Sequence, residues 1–200
     1  MNLVTHSLGI NFYLLAPPQP QADLALWADK IDQHYSETRL ELLIKELSDE
    51  LGARTMSFSS VSYDPFGASA NLLIAQQVSA LAHLDASHIS THTYFDIGNE
   101  LRWSSFRLEL EISTCGDVHP VEALNGLFDK LKPHFATIDA RSRGAGIDSL
   151  GRISLAQDDR RLTEMTITGY SSCAEKEGYV MLASNQNVPV IDAAIAALVS

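Results

Sequence analysis

Between Leu40 and Leu51 the apolar residues Leu40, Leu43, Ile44, Leu47 and Leu51 recur three and four positions apart, which predicts a helix with one buried stripe. Thr38-Arg39-Leu40-Glu41 has the form of a capping box at its start, and Gly52 supplies a stop at its end. An earlier helix is predicted from about Asp23 to Tyr35, behind the turn-forming Pro17-Pro18-Gln19-Pro20; no element is assigned ahead of that turn. After Gly52 the period changes from helical to alternating. Met56 and Phe58 alternate with polar residues in a strand, Tyr63-Asp64-Pro65-Phe66-Gly67 reads as a turn, and Ala70 to Ala75 is a short apolar run typical of a buried strand. His88 to Tyr94 reads as a further strand. In Phe106 to Ile112 the apolar Phe106, Leu108, Leu110 and Ile112 alternate with Arg107, Glu109 and Glu111.

A second amphipathic helix starts near Pro120, with Val121, Leu124, Leu127, Phe128 and Leu131 as its buried stripe. Strands are predicted at Phe135 to Ala140, Arg161 to Thr168 and Tyr179 to Ser184, and a last helix at Pro189 to Val199. Short turns between strands, with helices before, between and after them, define an α+β domain whose helices cover one face of a mainly antiparallel sheet. At 200 residues the chain suits a single domain, 1–200.

Charge sharpens the picture. With 25 acidic against 14 basic side chains, the net charge of −11 repels nucleic acid and anionic membranes and suits a cationic small-molecule substrate. No run of 18 apolar residues occurs, and Met1 to His6 lacks the basic-then-apolar pattern of a secretion signal. The expectation is a cytoplasmic protein in which Cys115 and Cys173 are thiols.

Candidate chemistry lies in three stretches: Gly67-Ala68-Ser69; the block from His83 to Tyr94 (His-Leu-Asp-Ala-Ser-His-Ile-Ser-Thr-His-Thr-Tyr); and Ser113-Thr114-Cys115-Gly116. Each places a nucleophilic or titratable side chain in or beside a predicted strand. His88 and His92 share a strand face without a third ligand at metal-site spacing, so no metal site is expected.

Taken in order, these stretches resemble the bacterial S-adenosylmethionine decarboxylase proenzymes. The resemblance starts near Tyr35-Ser36-Glu37-Thr38-Arg39-Leu40 and takes in Tyr63 to Ser69, Ala82 to Tyr94 and Phe106 to Gly116. It ends at Thr137-Ile138-Asp139-Ala140-Arg141-Ser142-Arg143-Gly144. It implies a precursor that cuts its own backbone between Ala86 and Ser87, leaving a β chain, 1–86, and an α chain, 87–200, whose first residue has become a pyruvoyl group. It implies that His92 is the base for this step and that Ser69 assists it. Cys115 becomes the acid that returns a proton to the decarboxylated product, and Tyr63, Tyr94 and Asp96 hold the nucleoside part of the substrate. A histidine accepts protons near neutral pH, and a thiol is largely protonated there, so both roles are chemically reasonable. In a regular strand Ser87 and His92 point to opposite faces, so these roles require Ser87 in a turn or bulge outside the strand. The implied assembly is a homodimer, or a higher homo-oligomer, in which paired sheets form an αββα sandwich.

The family's Pro-Glu after the His-Thr-aromatic motif is Phe95-Asp96 here, a commonly charged residue before the cleavage serine is Ala86, and the chain after Ile147 departs from the family pattern. Two other readings stand beside the decarboxylation of S-adenosylmethionine for spermidine synthesis. One is a pyruvoyl-dependent decarboxylase of ornithine or arginine on the same scaffold. The other is an uncut, inactive regulatory partner.

Overall fold

The computed structural model describes residues 2–76, 87–115, 118–155, 162, 165–176 and 179–186. Its organising element is a strand that the sequence reading leaves unassigned. In β1 (Asn2–Ala16), Leu8, Ile10 and Phe12 are buried while Ser7, Gly9 and Asn11 between them are not. That period-two pattern makes a half-buried strand, and β1 lies in the middle of the sheet.

The other strands are β2 (Ala53–Ser62), β3 (Ala68–Gln76), β4 (Ser87–Asp96), β5 (Ser104–Cys115), β6 (Phe135–Ile147), β7 (Ile153–Leu155), β8 (Tyr170–Lys176) and β9 (Tyr179–Ser184). They join β1 in one sheet of order β2-β3-β4-β5-β1-β6-β9-β8, with β7 on the end of β6. Each pairing is antiparallel. The α+β class with helices against one sheet face is therefore observed.

The helices are α1 (Gln21–His34), α2 (Glu37–Glu50) and α3 (Leu124–Leu131), the last entered through a 3-10 turn at Pro120–Ala123. α2 buries Leu40, Ile44 and Leu47, as its spacing predicts, and packs over β2, β3 and β4. Tyr35, at the end of α1, lies 4.6 Å from Phe106, and Phe128 of α3 lies 5.3 Å from Phe12. All three helices therefore share the face formed by the even-numbered residues of β1 and β5. Burial of each large aliphatic side chain there contributes roughly 1.5–3 kcal/mol.

Three sequence expectations need correction. The capping box at Thr38 is not formed: α2 begins at Glu37 behind Ser36, which makes no side-chain cap, and Glu37 instead accepts hydrogen bonds from Ser60 and Ser62 of β2. Those bonds tether the helix start to the sheet, and the helix begins two residues earlier than the box would start it. The strand predicted at Arg161 to Thr168 is absent where residues are described. The backbone closes locally there, Met165 N–H onto Leu162 O and Tyr170 N–H onto Ile167 O, and Gly169 at φ +83° turns the chain into β8. β6 continues past Ala140 to Ile147 because β1 pairs with it as far as Gly146. The helix predicted at Pro189 to Val199 lies outside the described residues.

Candidate active site

The sheet face away from the helices carries His92, Tyr94 and most of the titratable side chains of the central strands. Register aligns its side chains in rows across the strands. One row runs Ser69, His92, Glu109, Asn11 and Thr137. The next towards the start of β4 is Asn71, Ser90, Glu111, Gly9 and Asp139, followed by His88, Ser113, Ser7 and Arg141. On the other side of the His92 row come Tyr94, Arg107, Tyr13 and Phe135. Thr5 sits between Cys115 and Arg143 at the far end.

The predicted site residues fall into two groups. Ser87 is the first residue of β4, paired with Ile74 and only 5% exposed. It lies within the strand, not in a turn outside it. The burial alternation of β4 puts Ser87 on the helix side together with Ile89, Thr91 and Thr93. Its Oγ accepts a hydrogen bond from the Cys115 backbone N–H at 3.3 Å. The Cys115 thiol itself lies 3.7 Å from Thr5 Oγ1. Ser87 and Cys115 thus meet at one end of the sheet, brought together by the β4–β5 pairing across 28 positions of sequence. Ala86, on the other side of the expected cleavage, and Gly116 lie outside the described residues.

The second group is centred on His92. Ser69 stands opposite it in β3, only 3% exposed, and accepts a hydrogen bond from Tyr63 Oη at 2.8 Å. The turn carrying Tyr63 is held by Gly67, whose N–H donates to Asp32 Oδ1 of α1 at 2.7 Å. Gly67 has φ +108°, a conformation that favours glycine, and a Cβ there would crowd Thr93 Oγ1 at 3.1 Å. On the other side of His92 stands Glu109, which is 3.5 Å from the Arg107 guanidinium. Arg107 in turn lies over the Tyr94 ring at 4.2 Å, an arrangement favoured by the ring quadrupole.

Five residues of strand separate Ser87 from His92, about 16 Å at the usual rise per residue, and they face opposite sides. Within one chain the two groups are not adjacent. Asp96 is further still, at the end of β4, where both carboxylate oxygens are taken by Arg102 at 2.8 and 2.9 Å. That bond and the Asp96 charge hold the Arg102 guanidinium more firmly protonated than usual.

Sequence reasoning did not single out Glu109, Arg107 or Thr5 as neighbours of these groups. The alternation of β5 signals that Arg107 and Glu109 face away from the core, but their register with His92 and Tyr94 is a pairing property. Among the described residues no set of three or more His, Cys, Asp or Glu side chains is placed to hold a metal ion, and no helix is long and apolar enough to cross a membrane. Cys115 and Cys173 are not joined in a disulfide.

An antiparallel sheet covered on one face by helices defines an α+β domain. A family model described as S-adenosylmethionine decarboxylase matches residues 26–144. An S-adenosylmethionine decarboxylase proenzyme of Pseudomonas paraeruginosa is 31% identical over 197 residues, spanning 90% of this chain and 73% of its own. The proenzyme of Azotobacter vinelandii is 32% identical over 168 residues, 76% of this chain and 64% of its own. A solved adenosylmethionine decarboxylase from Aquifex aeolicus aligns at 19% identity with a TM-score of 0.44, over 80% of this chain and 98% of that one. The chain belongs to the S-adenosylmethionine decarboxylase family.

Proposed function

We propose that this family member is a self-cleaving, pyruvoyl-dependent decarboxylase of S-adenosylmethionine, and that each of its active sites is completed between two copies of the chain. The observation that carries this reading is the division of the site residues: Ser87 and Cys115 at one end of the sheet, Tyr63, Ser69, His92 and Tyr94 along its open face.

Scission starts at Ser87. Its Oγ attacks the Ala86 carbonyl, the C–N bond breaks, and the amide becomes an ester. The Cys115 N–H holds Oγ in place for this attack. A base removes the Ser87 α-hydrogen, the ester leaves by β-elimination as the Ala86 carboxylate, and water converts the remaining dehydroalanine to a pyruvoyl group with loss of ammonia. The products stay together. β1 and β3 belong to 1–86, while β4, β5 and β6 belong to 87–200; β3 is paired with β4, and β1 lies between β5 and β6.

The base assigned to this step is His92 of a second copy. Two open faces packed about a twofold axis in the plane between them, perpendicular to β5, would lay the His92 row of one copy over the Cys115 end of the other and form an αββα sandwich. A C2 arrangement of this kind builds two equivalent sites. Ser69 of that second copy supports the step as a donor: because its Oγ accepts from Tyr63, its own proton is left for the tetrahedral oxygen. Tyr63→Phe is therefore expected to slow scission by roughly two- to tenfold, the weight of one neutral hydrogen bond, as read from the uncut fraction by mass over time.

The surroundings of position 87 fit a pyruvoyl group. A carbonyl oxygen in the place of Ser87 Oγ would accept the same bond from the Cys115 N–H. Such a group supplies an electrophilic carbonyl that captures the substrate amine and takes up the electrons left as carbon dioxide departs. The Cys115 thiol donates the replacing proton. Tyr94 offers a purine the ring face not covered by Arg107, and Asp96 can take ribose hydroxyls in place of part of its bidentate bond to Arg102. The product would be decarboxylated S-adenosylmethionine, the aminopropyl donor of spermidine synthesis. The aromatic side chains Tyr63 and Tyr94 on one open face favour a nucleoside over ornithine or arginine, which need no stacking ring.

Co-expression tests the shared site. Ser87→Ala and His92→Ala chains, each uncut alone, are expected to yield scission of the His92→Ala chain when mixed, since it keeps its serine and borrows the partner's histidine. Scission that stays absent in the mixture would place the base within the same chain or elsewhere.

A further inference from the structure

His6 is 7% exposed, an uncommon degree of burial for an ionisable side chain. It stands in β1 on the helix side, opposite Thr114 of β5 and Ser142 of β6. Its Nδ1 is 2.8 Å from Ser142 Oγ. Its ring lies against His119, with centroids 4.0 Å apart and planes tilted by 41°. His119 is the residue immediately before Pro120, where the 3-10 turn begins. Neither histidine takes part in the chemistry assigned above.

Their position relative to Cys115 gives them a role. β5 ends at Cys115, and Val118 and His119 precede the 3-10 turn. Thr114 Oγ1 donates to Val118 O at 2.7 Å and lies 3.5 Å from His6 O. This segment is therefore held twice, by Thr114 at Val118 and by the His6 ring at His119. Cys115 is the residue whose N–H holds Ser87 Oγ and whose thiol faces the open side. A shift of His119 moves Val118 beside it, and with it the hydrogen bond to Thr114, the neighbour of Cys115.

We propose that His6 and His119 form a clamp that sets the position of Cys115, making His6 a positioning residue for the Ser87 end of the site. Ser142 fixes the His6 ring from β6, the ring contact carries that placement to His119, and the Thr114–Val118 hydrogen bond carries it to the Cys115 N–H and thiol. The assignment rests on the reading of Ser87 and Cys115 given above, but its first readout is independent of that reading.

The test uses the full chain with Cys173→Ser, so that Cys115 is the only thiol. The rate of Cys115 alkylation by iodoacetamide and the half-time of scission are followed for His6→Ala, His6→Phe and His119→Ala, with thermal unfolding as the check on folding. Loss of the stack in His119→Ala or His6→Ala is expected to change both rates by about tenfold, the effect of a displacement near 1 Å or less at a reacting group. His6→Phe, which keeps a ring against His119, is expected to recover most of what His6→Ala loses. The double variant His6→Ala/His119→Ala should be no worse than the more impaired single one, because both remove the same contact. Alkylation and scission rates within about twofold of the parent in folded His119→Ala would overturn the proposal. Should His6→Ala fail to fold, His119→Ala carries the test alone, since His119 lies outside the strands. A parent chain that never cuts itself would defeat the proposed function and still leave the alkylation rates to decide the clamp.

Discussion

With Ser87 replaced by alanine, the purified chain is expected to remain a single uncut polypeptide under conditions where the parent yields two. Alanine has no oxygen to carry the acyl group of Ala86, so no ester forms and elimination has no leaving group. The expected loss is on the order of 10³-fold or more in the rate of scission, as for removal of any obligatory nucleophile. Intact mass under denaturing conditions reads it directly. The same change removes the hydrogen bond that Ser87 Oγ accepts from the Cys115 N–H, at a cost of about 0.5–1.5 kcal/mol. For a chain of this length that lowers the melting temperature by roughly 2–4 °C per kcal/mol. A folded, uncut Ser87→Ala protein supports the assignment. Two fragments, with the break still before position 87, would remove Ser87 from the chemistry altogether.

Cys115→Ala should separate the two reactions. The bond that orients Ser87 comes from the backbone N–H of residue 115, which alanine retains. Scission is therefore expected to proceed within a few-fold of the parent. Turnover depends on the thiol as proton donor and is expected to fall by about 10²–10⁴-fold, the usual weight of a general acid. Release of labelled carbon dioxide from carboxyl-labelled S-adenosylmethionine, set against the cut fraction of the same preparation, measures both. Loss of scission in parallel with turnover would mean that the side chain, not only the backbone, serves the first reaction.

Much of the molecule is legible in its amino-acid pattern. The stripe Leu40, Ile44 and Leu47 names the buried face of α2, and Val121, Leu124, Leu127 and Phe128 that of α3 and its preceding turn. The alternation in Phe106 to Ile112 names the buried side of β5. These are local properties, because side-chain direction repeats every 3.6 or 2 residues regardless of what lies opposite. The alternation of Leu8, Ile10 and Phe12 is equally present in β1 and carries the signal of the strand left unassigned. Among the described residues of the strand expected at Arg161 to Thr168, Leu162, Met165 and Ile167 take part in local turns instead of meeting a neighbouring strand. Strand propensity depends on the surface a segment finds.

Family, candidate nucleophile, acid and base can all be named from Ser87, Cys115, Ser69 and His92 in their sequence motifs. Even the conflict between Ser87 and His92 follows from counting five residues along a strand. What pairing alone decides is which residues stand together. Register sets Ser69 against His92 and Glu109, draws Cys115 onto Ser87 across 28 positions, and places His6 and Ser142 beside each other across 136. A chain specifies the direction of each side chain by its own backbone, but the neighbour it meets comes from another strand, and a slip of one residue would exchange every one of these partners.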